Sequence, residues 1–309
     1  MVLQNNIYCT CRLLPQKKSN QKKSQCAQTT CDVDSDKNKT AFRALTPSRG
    51  HYKALEQISP LQQAENIALD KIIFPWPEAK ATRAVEFKPL YLSALTLKDF
   101  EVPDFPANSS KQTRAELDYL LQLQAQRNDA EVAYSIYLAD IYYSARAKPE
   151  DANYQALRKN LFHIGRSIGT WFNPETLPIT ADFMAKVWQD ASFFMWSAKN
   201  KFLRARPYQL DAQLKNLEET NWPAYPSGHA LNSYVNAYVY QELAPEFTDV
   251  FIKDAYDMAH SREIIGVHFP SDSEISRQLA RRVVNKLFEN ESFKKDFEAV
   301  KNEWEMVRQ

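Results

Sequence analysis

Pro226-Ser227-Gly228-His229 sets a hydroxyl, one of only five glycines and an imidazole at the head of a periodic run. Leu231, Tyr234, Val235, Tyr238, Val239 and Leu243 follow at the i, i+3, i+4, i+7 and i+8 spacing of a core-facing helix that stops at Pro245. The corner is therefore a helix N-terminus. Such an end has free backbone N–H groups and the positive pole of the macrodipole, and is a ready place for an anion. Two further corners collect charge. Lys199, Lys201, Arg204 and Arg206 crowd the end of a helix before Pro207. Arg262 lies on the last turn of another, His268 follows in the short corner after Gly266, and Asp272 opens the next helix near Pro270. Each corner alone has a plainer reading. Cations complement a helix C-terminus, serine is a good N-cap, and proline makes turns.

Taken together the corners form one pattern: Lys199-x6-Arg206-Pro207, then Pro226-Ser227-Gly228-His229, then Ser261-Arg262-x5-His268-x3-Asp272. This resembles the three-part signature of the phosphatidic acid phosphatase type 2 and vanadium haloperoxidase superfamily, with every specified position filled. Within it, KNKFLRARP, AYPSGHA, SREIIGVHFPSD and the tail ESFKKDFEAVKNEW are similar to their counterparts in the soluble class A bacterial acid phosphatases. The likeness runs from about Ser109 to the C-terminus. Ala230 stands where those enzymes commonly have a hydroxyl residue, and SEISRQLARR replaces a small, glycine-containing stretch after the aspartate.

The resemblance implies hydrolysis of small-molecule phosphate monoesters. Phosphoryl transfer requires charge neutralisation on three equatorial oxygens. Lys199, Arg206 and Arg262 supply the cations, with bidentate donation from the two arginines. The Ser227 hydroxyl and the Gly228 N–H complete the cradle, and a glycine there lets the backbone approach the anion closely. By the resemblance, His268 attacks phosphorus to form a phosphohistidine and Asp272 fixes its tautomer. His229 protonates the leaving alkoxide and then activates water. One imidazole must start neutral and the other protonated, so a bell-shaped pH profile on the acid side of neutral is expected. No cofactor is implied for the phosphatase. Vanadate is expected as an inhibitor, or as the prosthetic group if the same cradle serves a haloperoxidase. Haloperoxidases tend to carry larger insertions between the motifs, and the compact spacing here favours the phosphatase. A non-catalytic phosphate-binding protein is the third reading. His163 reads as a helix residue near the core, and His260, beside Ser261-Arg262, as a candidate neighbour of the pocket. Trp222 and Tyr225 suit either a substrate mouth or the core.

The elements that must position these residues are helical. Low glycine, 12% aromatic residues and abundant helix formers predict an all-α protein, a single helical bundle. Two adjoining helices are expected from Ser109, the second after Asn128-Asp129, with others near 150–171, 180–204, 229–243, 246–265, 272–289 and 291–306. No internal repeat or alternating strand pattern is visible. Residues 109–309 form the expected catalytic domain, and 46–108 a proline-rich, irregular approach with one helix after Ser59-Pro60. Residues 1–45 read as a polar, poorly ordered leader holding all four cysteines, Cys9, Cys11, Cys26 and Cys31. Their C-x-C and C-x4-C spacing matches no strong zinc pattern.

Thirty-nine basic against 38 acidic residues give no global field for nucleic acid or an anionic membrane, so an anion site must be made locally. No apolar run is long enough to span a bilayer. Family resemblance implies export and is compatible with a homodimer. Met1 to Pro15, however, holds only broken apolar pieces rather than a secretory signal's continuous core, which leaves the compartment open.

Overall fold

A computed structural model describes residues 67–308. The four cysteines and the start of the helix expected after Ser59-Pro60 lie outside them. In chain order the helices are α1 (Ile67–Asp70), α2 (Glu78–Ala84), α3 (Lys111–Gln126), α4 (Asp129–Ala139), α5 (Tyr154–Asn160), α6 (Pro178–Phe202), α7 (Pro207–Leu210), α8 (Gly228–Leu243), α9 (Thr248–Ile264), α10 (Pro270–Glu289) and α11 (Glu291–Arg308). Short 3-10 turns occupy Leu97–Phe100 and Pro245–Phe247. The described residues contain no sheet; Ile73 and Arg204 form an isolated antiparallel bridge. The fold is all-α, as expected.

The helix ends follow from their sequences. Ser110 caps α3 by accepting from the Thr113 N–H, and Asn128 with Glu131 forms a reciprocal box at the head of α4. Pro178 sits in the first turn of α6, where a missing N–H costs nothing. The Glu303 carboxylate of α11 accepts from the Ile179 and Thr180 N–H groups at 2.8 Å each, closing that end. At its other end α6 stops because Leu203 turns left-handed at φ 49°. Pro207 then opens the short α7 rather than merely ending α6.

Helix α8 is the axis of the bundle, packed against α6, α9 and α10. The apolar stripe predicts one core-facing side, yet every residue from Ala230 to Tyr240 is buried, including Asn232, Ser233 and Asn236. Neighbours on three sides leave this stretch no solvent face. Burial of each large apolar side chain here stabilises by about 1.5–3 kcal/mol.

The single helix expected over 150–171 is not formed: α5 covers Tyr154–Asn160, and tight turns follow. Gly165 adopts φ +93°, and a Cβ there would meet the Phe251 ring at 2.4 Å. Its N–H donates to the Asp254 carboxylate at 2.9 Å. Those tertiary contacts replace the helical ladder, so His163 is a buried bend residue, not a helical one.

Candidate active site

Three helix ends meet at a cavity of about 540 Å³. Lys199 comes from the last turn of α6, Arg206 from the segment before α7, Gly228 and His229 from the start of α8, Arg262 from the end of α9, and His268 from the corner before α10. All six line the cavity. Ser227 and Asp272 are buried directly behind this lining. The structure thus brings together all eight residues singled out in the sequence.

His268 is held from both sides. Its Nδ1 lies 3.1 Å from Asp272 Oδ2, and its Nε2 lies 3.0 Å from Arg206 Nη1. Because the guanidinium only donates, Nε2 carries the lone pair and Nδ1 the proton, donated to the carboxylate. Burial, reinforced by the neighbouring Arg206 cation, holds the His268 pKa well below its ordinary value despite Asp272. The imidazole is therefore neutral, with Nε2 its basic nitrogen, accepting from Arg206.

Asp272 is fixed by position and by charge. It sits in the first turn of α10, where its Oδ2 also accepts from the Phe269 N–H at 3.0 Å. Its Oδ1 accepts from Arg204 Nη1 at 2.6 Å. Burial pushes this carboxyl up, but Arg204 and the His268 and Phe269 hydrogen bonds outweigh it and keep the pKa below the usual range.

The cations have few counter-charges. Lys199 Nζ donates to the Pro223 and Ala224 carbonyls at 2.6 and 3.3 Å, with no carboxylate on it. Burial, with Arg206 alongside, pulls its pKa well down. Arg206 donates to the carbonyls of Trp222 (3.0 and 2.9 Å) and Val267 (2.7 Å), and burial lowers its pKa to about 10. Arg262 Nη2 is paired with Glu218 at 2.6 Å, while its buried Nε and Nη1 have no partner among the described residues. Buried cations without counter-charge are costly, and an anion in the cavity would offset that cost.

His229 is held by the Ala139 carbonyl, 3.0 Å from its Nε2. A carbonyl only accepts, so Nε2 carries a proton and Nδ1 is the atom left to exchange one. Burial first, then Arg262, drive its pKa well below the ordinary histidine value. Ser227 caps α8 through Ala230 N, while its own N–H donates to the Asp272 carbonyl at 3.3 Å, joining the starts of α8 and α10. A Cβ on Gly228 would meet Met195 Sδ at 3.0 Å at the cavity wall.

Three residues that sequence reasoning left without a role complete the arrangement. Arg204, read as a helix-end cation, is a fully buried bridge between Asp272 and Glu116, whose Oε2 lies 3.3 Å from Nη2. Glu116 also accepts from the Ser271 N–H and hydroxyl, both at 2.9 Å, and burial pushes its pKa up to about 7. The signal for Glu116 was available: it lies on the buried stripe Thr113, Glu116, Leu117, Leu120 of α3. Nothing local marks Glu218, which reaches Arg262 from a loop. His260 does not line the cavity; it stacks on Tyr256 at 5.5 Å and meets Glu263 at 3.0 Å. Trp222 lines the mouth, whereas Tyr225 is buried with its hydroxyl on the Pro103 carbonyl at 2.9 Å. Among the described residues, no group of three or more His, Cys, Asp or Glu side chains is placed to hold a metal ion.

No family model matches the chain. A non-specific acid phosphatase of Providencia stuartii is 32% identical over 117 residues, covering 36% of this chain and 47% of that protein. Non-specific acid phosphatases of Salmonella typhi and Salmonella typhimurium are 24% and 25% identical, over 69% and 72% of this chain and 86% and 92% of their own lengths. The match thus spans about half the length of the first relative and most of the other two. A crystal structure of a bacterial vanadium-dependent iodoperoxidase superposes with a TM-score of 0.50, over 77% of this chain and 64% of that one, at 15% identity. That likeness shows a common fold. The all-α fold described above is thus shared with that iodoperoxidase. The three sequence relatives given above are all named non-specific acid phosphatases.

Proposed function

We propose that this protein is an acid phosphatase that hydrolyses phosphate monoesters through a phosphohistidine on His268, without a metal. The observation that carries the reading is the neutral His268, its Nδ1 proton held by Asp272 and its Nε2 facing a cavity ringed by Lys199, Arg206 and Arg262. The naming of the curated relatives as acid phosphatases supports it.

In the first step the phosphoryl group lies among the three cations and the Gly228 N–H, which neutralise its equatorial oxygens. His268 Nε2 forms the N–P bond as the ester P–O bond breaks. The departing oxygen takes a proton from His229 Nδ1, and the growing imidazolium charge on His268 is balanced by Asp272. In the second step water gives its proton back to His229 Nδ1 and attacks phosphorus from the opposite side. The N–P bond breaks, inorganic phosphate leaves, and both histidines return to their starting states. Burial is the main cause of the lowered His229 pKa and the cations are the second; the substrate's own dianion offsets the cations and so favours uptake from solvent of the Nδ1 proton that the leaving group needs.

The same donors suit vanadate, a tetrahedral oxyanion, on Lys199, Arg206, Arg262 and His268. When bound, vanadate supplies peroxide activation for halide oxidation in haloperoxidases. The deciding assay is hydrolysis of 4-nitrophenyl phosphate from acid to neutral pH in EDTA, with and without orthovanadate. Turnover that survives EDTA and is blocked by vanadate is expected. Absence of turnover, with halide oxidation by peroxide once vanadate is added, would give the cradle to the other chemistry. Neither activity, with phosphate binding intact, would leave an anion-binding protein.

A further inference from the structure

The cavity extends outward from the cradle well past the room that one phosphoryl group takes. Its outer wall joins Trp76 and α2, from the segment preceding α3, to Trp196 of α6 and Trp222 of the loop before α8. Trp76 and Trp196 have parallel rings, 2° apart in plane with centroids 6.2 Å apart. Trp222 meets Trp196 edge-on at 6.0 Å and is 43% exposed, so an aromatic face stands open at the mouth.

This wall is registered to the cradle by hydrogen bonds. Trp76 Nε1 donates to Asn200 Oδ1 at 2.8 Å, and Asn200 Nδ2 donates to the Ala81 carbonyl of α2 at 2.9 Å. Asn200 is the residue after Lys199, so one short stretch of α6 fixes both the cradle lysine and the aromatic wall. Trp222 is tied in through its carbonyl, which accepts from Arg206 Nε and Nη2 at 3.0 and 2.9 Å. Pre-set faces of this kind bind a flat ring with little ordering cost.

The rim carries more positive than negative charge. Lys80 and Arg83 lie one turn apart on α2, exposed and lining the cavity, and neither is in an ion pair among the described residues. The third rim cation, Arg146, is paired with Glu86 at 2.7 Å. Glu218, the carboxylate that lines the cavity, is occupied by Arg262. With the inner cations matched by a phosphoryl dianion, Lys80 and Arg83 face the ligand with only Glu86, already paired with Arg146, close enough to Arg83 to offset its charge.

We infer that the mouth is a leaving-group subsite selecting phosphate monoesters of flat aromatic or heteroaromatic ring systems that carry a second anionic group. This rests on the phosphatase reading. The tryptophans take the ring, and Lys80 and Arg83 take the second anion. Trp76, Lys80 and Arg83 lie outside the three corners that form the cradle, on the segment that precedes α3.

The test measures kcat/KM of the full-length protein for glycerol 2-phosphate, phenyl phosphate and 4-carboxyphenyl phosphate, in wild type, W222L and K80A/R83A. All three substituted positions are exposed, so the fold is kept. W222L is expected to lower kcat/KM for phenyl phosphate at least fivefold more than for glycerol 2-phosphate. K80A/R83A is expected to lower it for 4-carboxyphenyl phosphate at least fivefold more than for phenyl phosphate, with added salt shrinking the difference. Losses equal within twofold across the three esters overturn the subsite and leave the phosphatase standing. A wild-type protein inactive on all three overturns the phosphatase, and the subsite with it.

Discussion

At the scale of single residues, the proposed mechanism depends on keeping two histidines in different proton states. His268 needs its Nε2 lone pair, and burial with Arg206 keeps it neutral. His229 needs a proton, and burial with Arg262 works against it in the free protein. Both pKa values are lowered, so both limbs of the kcat/KM profile fall below the ordinary histidine value. Activity then falls as pH rises through the His229 pKa, and falls again once acid protonates His268. A profile whose activity keeps rising above pH 7 would contradict this assignment. H268A is expected to reduce turnover of 4-nitrophenyl phosphate by at least roughly 10⁴-fold, since the covalent step has no substitute. D272N keeps the shape but not the charge, and is expected to cost roughly 10²–10⁴-fold in kcat. Wild-type rates in H268A would remove this histidine as the nucleophile, and wild-type rates in D272N would remove its carboxylate support.

At the scale of elements, α6 is the spine that carries both the cradle and its surroundings. Its Asp190, fully buried, accepts from the Leu90, Tyr91 and Leu92 N–H groups at 2.7, 2.9 and 2.7 Å. One turn from its end, Asn200 holds Trp76 and α2. Past that end, the Leu203 carbonyl accepts from the Phe74 N–H at 2.8 Å. The segment before α3 is thereby fastened along the helix that delivers Lys199. D190N would turn an amide N–H₂ toward backbone donors, at a cost of about 2–4 kcal/mol. The thermal midpoint is expected to fall by roughly 5–10 °C. An unchanged midpoint in calorimetry would mean that the segment is held by its apolar contacts alone.

For the molecule as a whole, acid conditions set a conflict between chemistry and stability. Burial, with Arg166 nearby, lowers the His163 pKa to about 3. Between that value and the ordinary 6.5, the unfolded chain binds a proton there that the folded chain does not. Stability from this site is therefore complete above 6.5 and is lost as pH falls through the window, by on the order of 1 kcal/mol per pH unit. Glu116 and Asp190, pushed up to about 7 and about 6, act in the opposite sense, but they cancel in a comparison of variants. H163L is expected to gain on wild type in urea unfolding as pH drops from 7 to 5. A constant difference between the two would show that His163 is protonated in the folded state.

The helical class and most helix boundaries were legible in the amino-acid order alone, and the eight site residues in its resemblance to a known three-part signature. Those features are local: apolar spacing writes a helix, while Ser227, Pro270 and Gly266 mark ends, and the charged residues sit beside those ends. Packing settled what local patterns do not encode. Nothing within 150–171 forbids a longer helix; the chain turns there because Gly165 packs on Phe251 and bonds Asp254, which lie far along the sequence. Glu116, Arg204 and Glu218 likewise find their partners across 88, 68 and 44 residues. Trp222 goes to the mouth and Tyr225 into the core, although only three positions separate them. Burial and pairing are properties of contacts between distant segments, and those contacts exist only once the helices have packed.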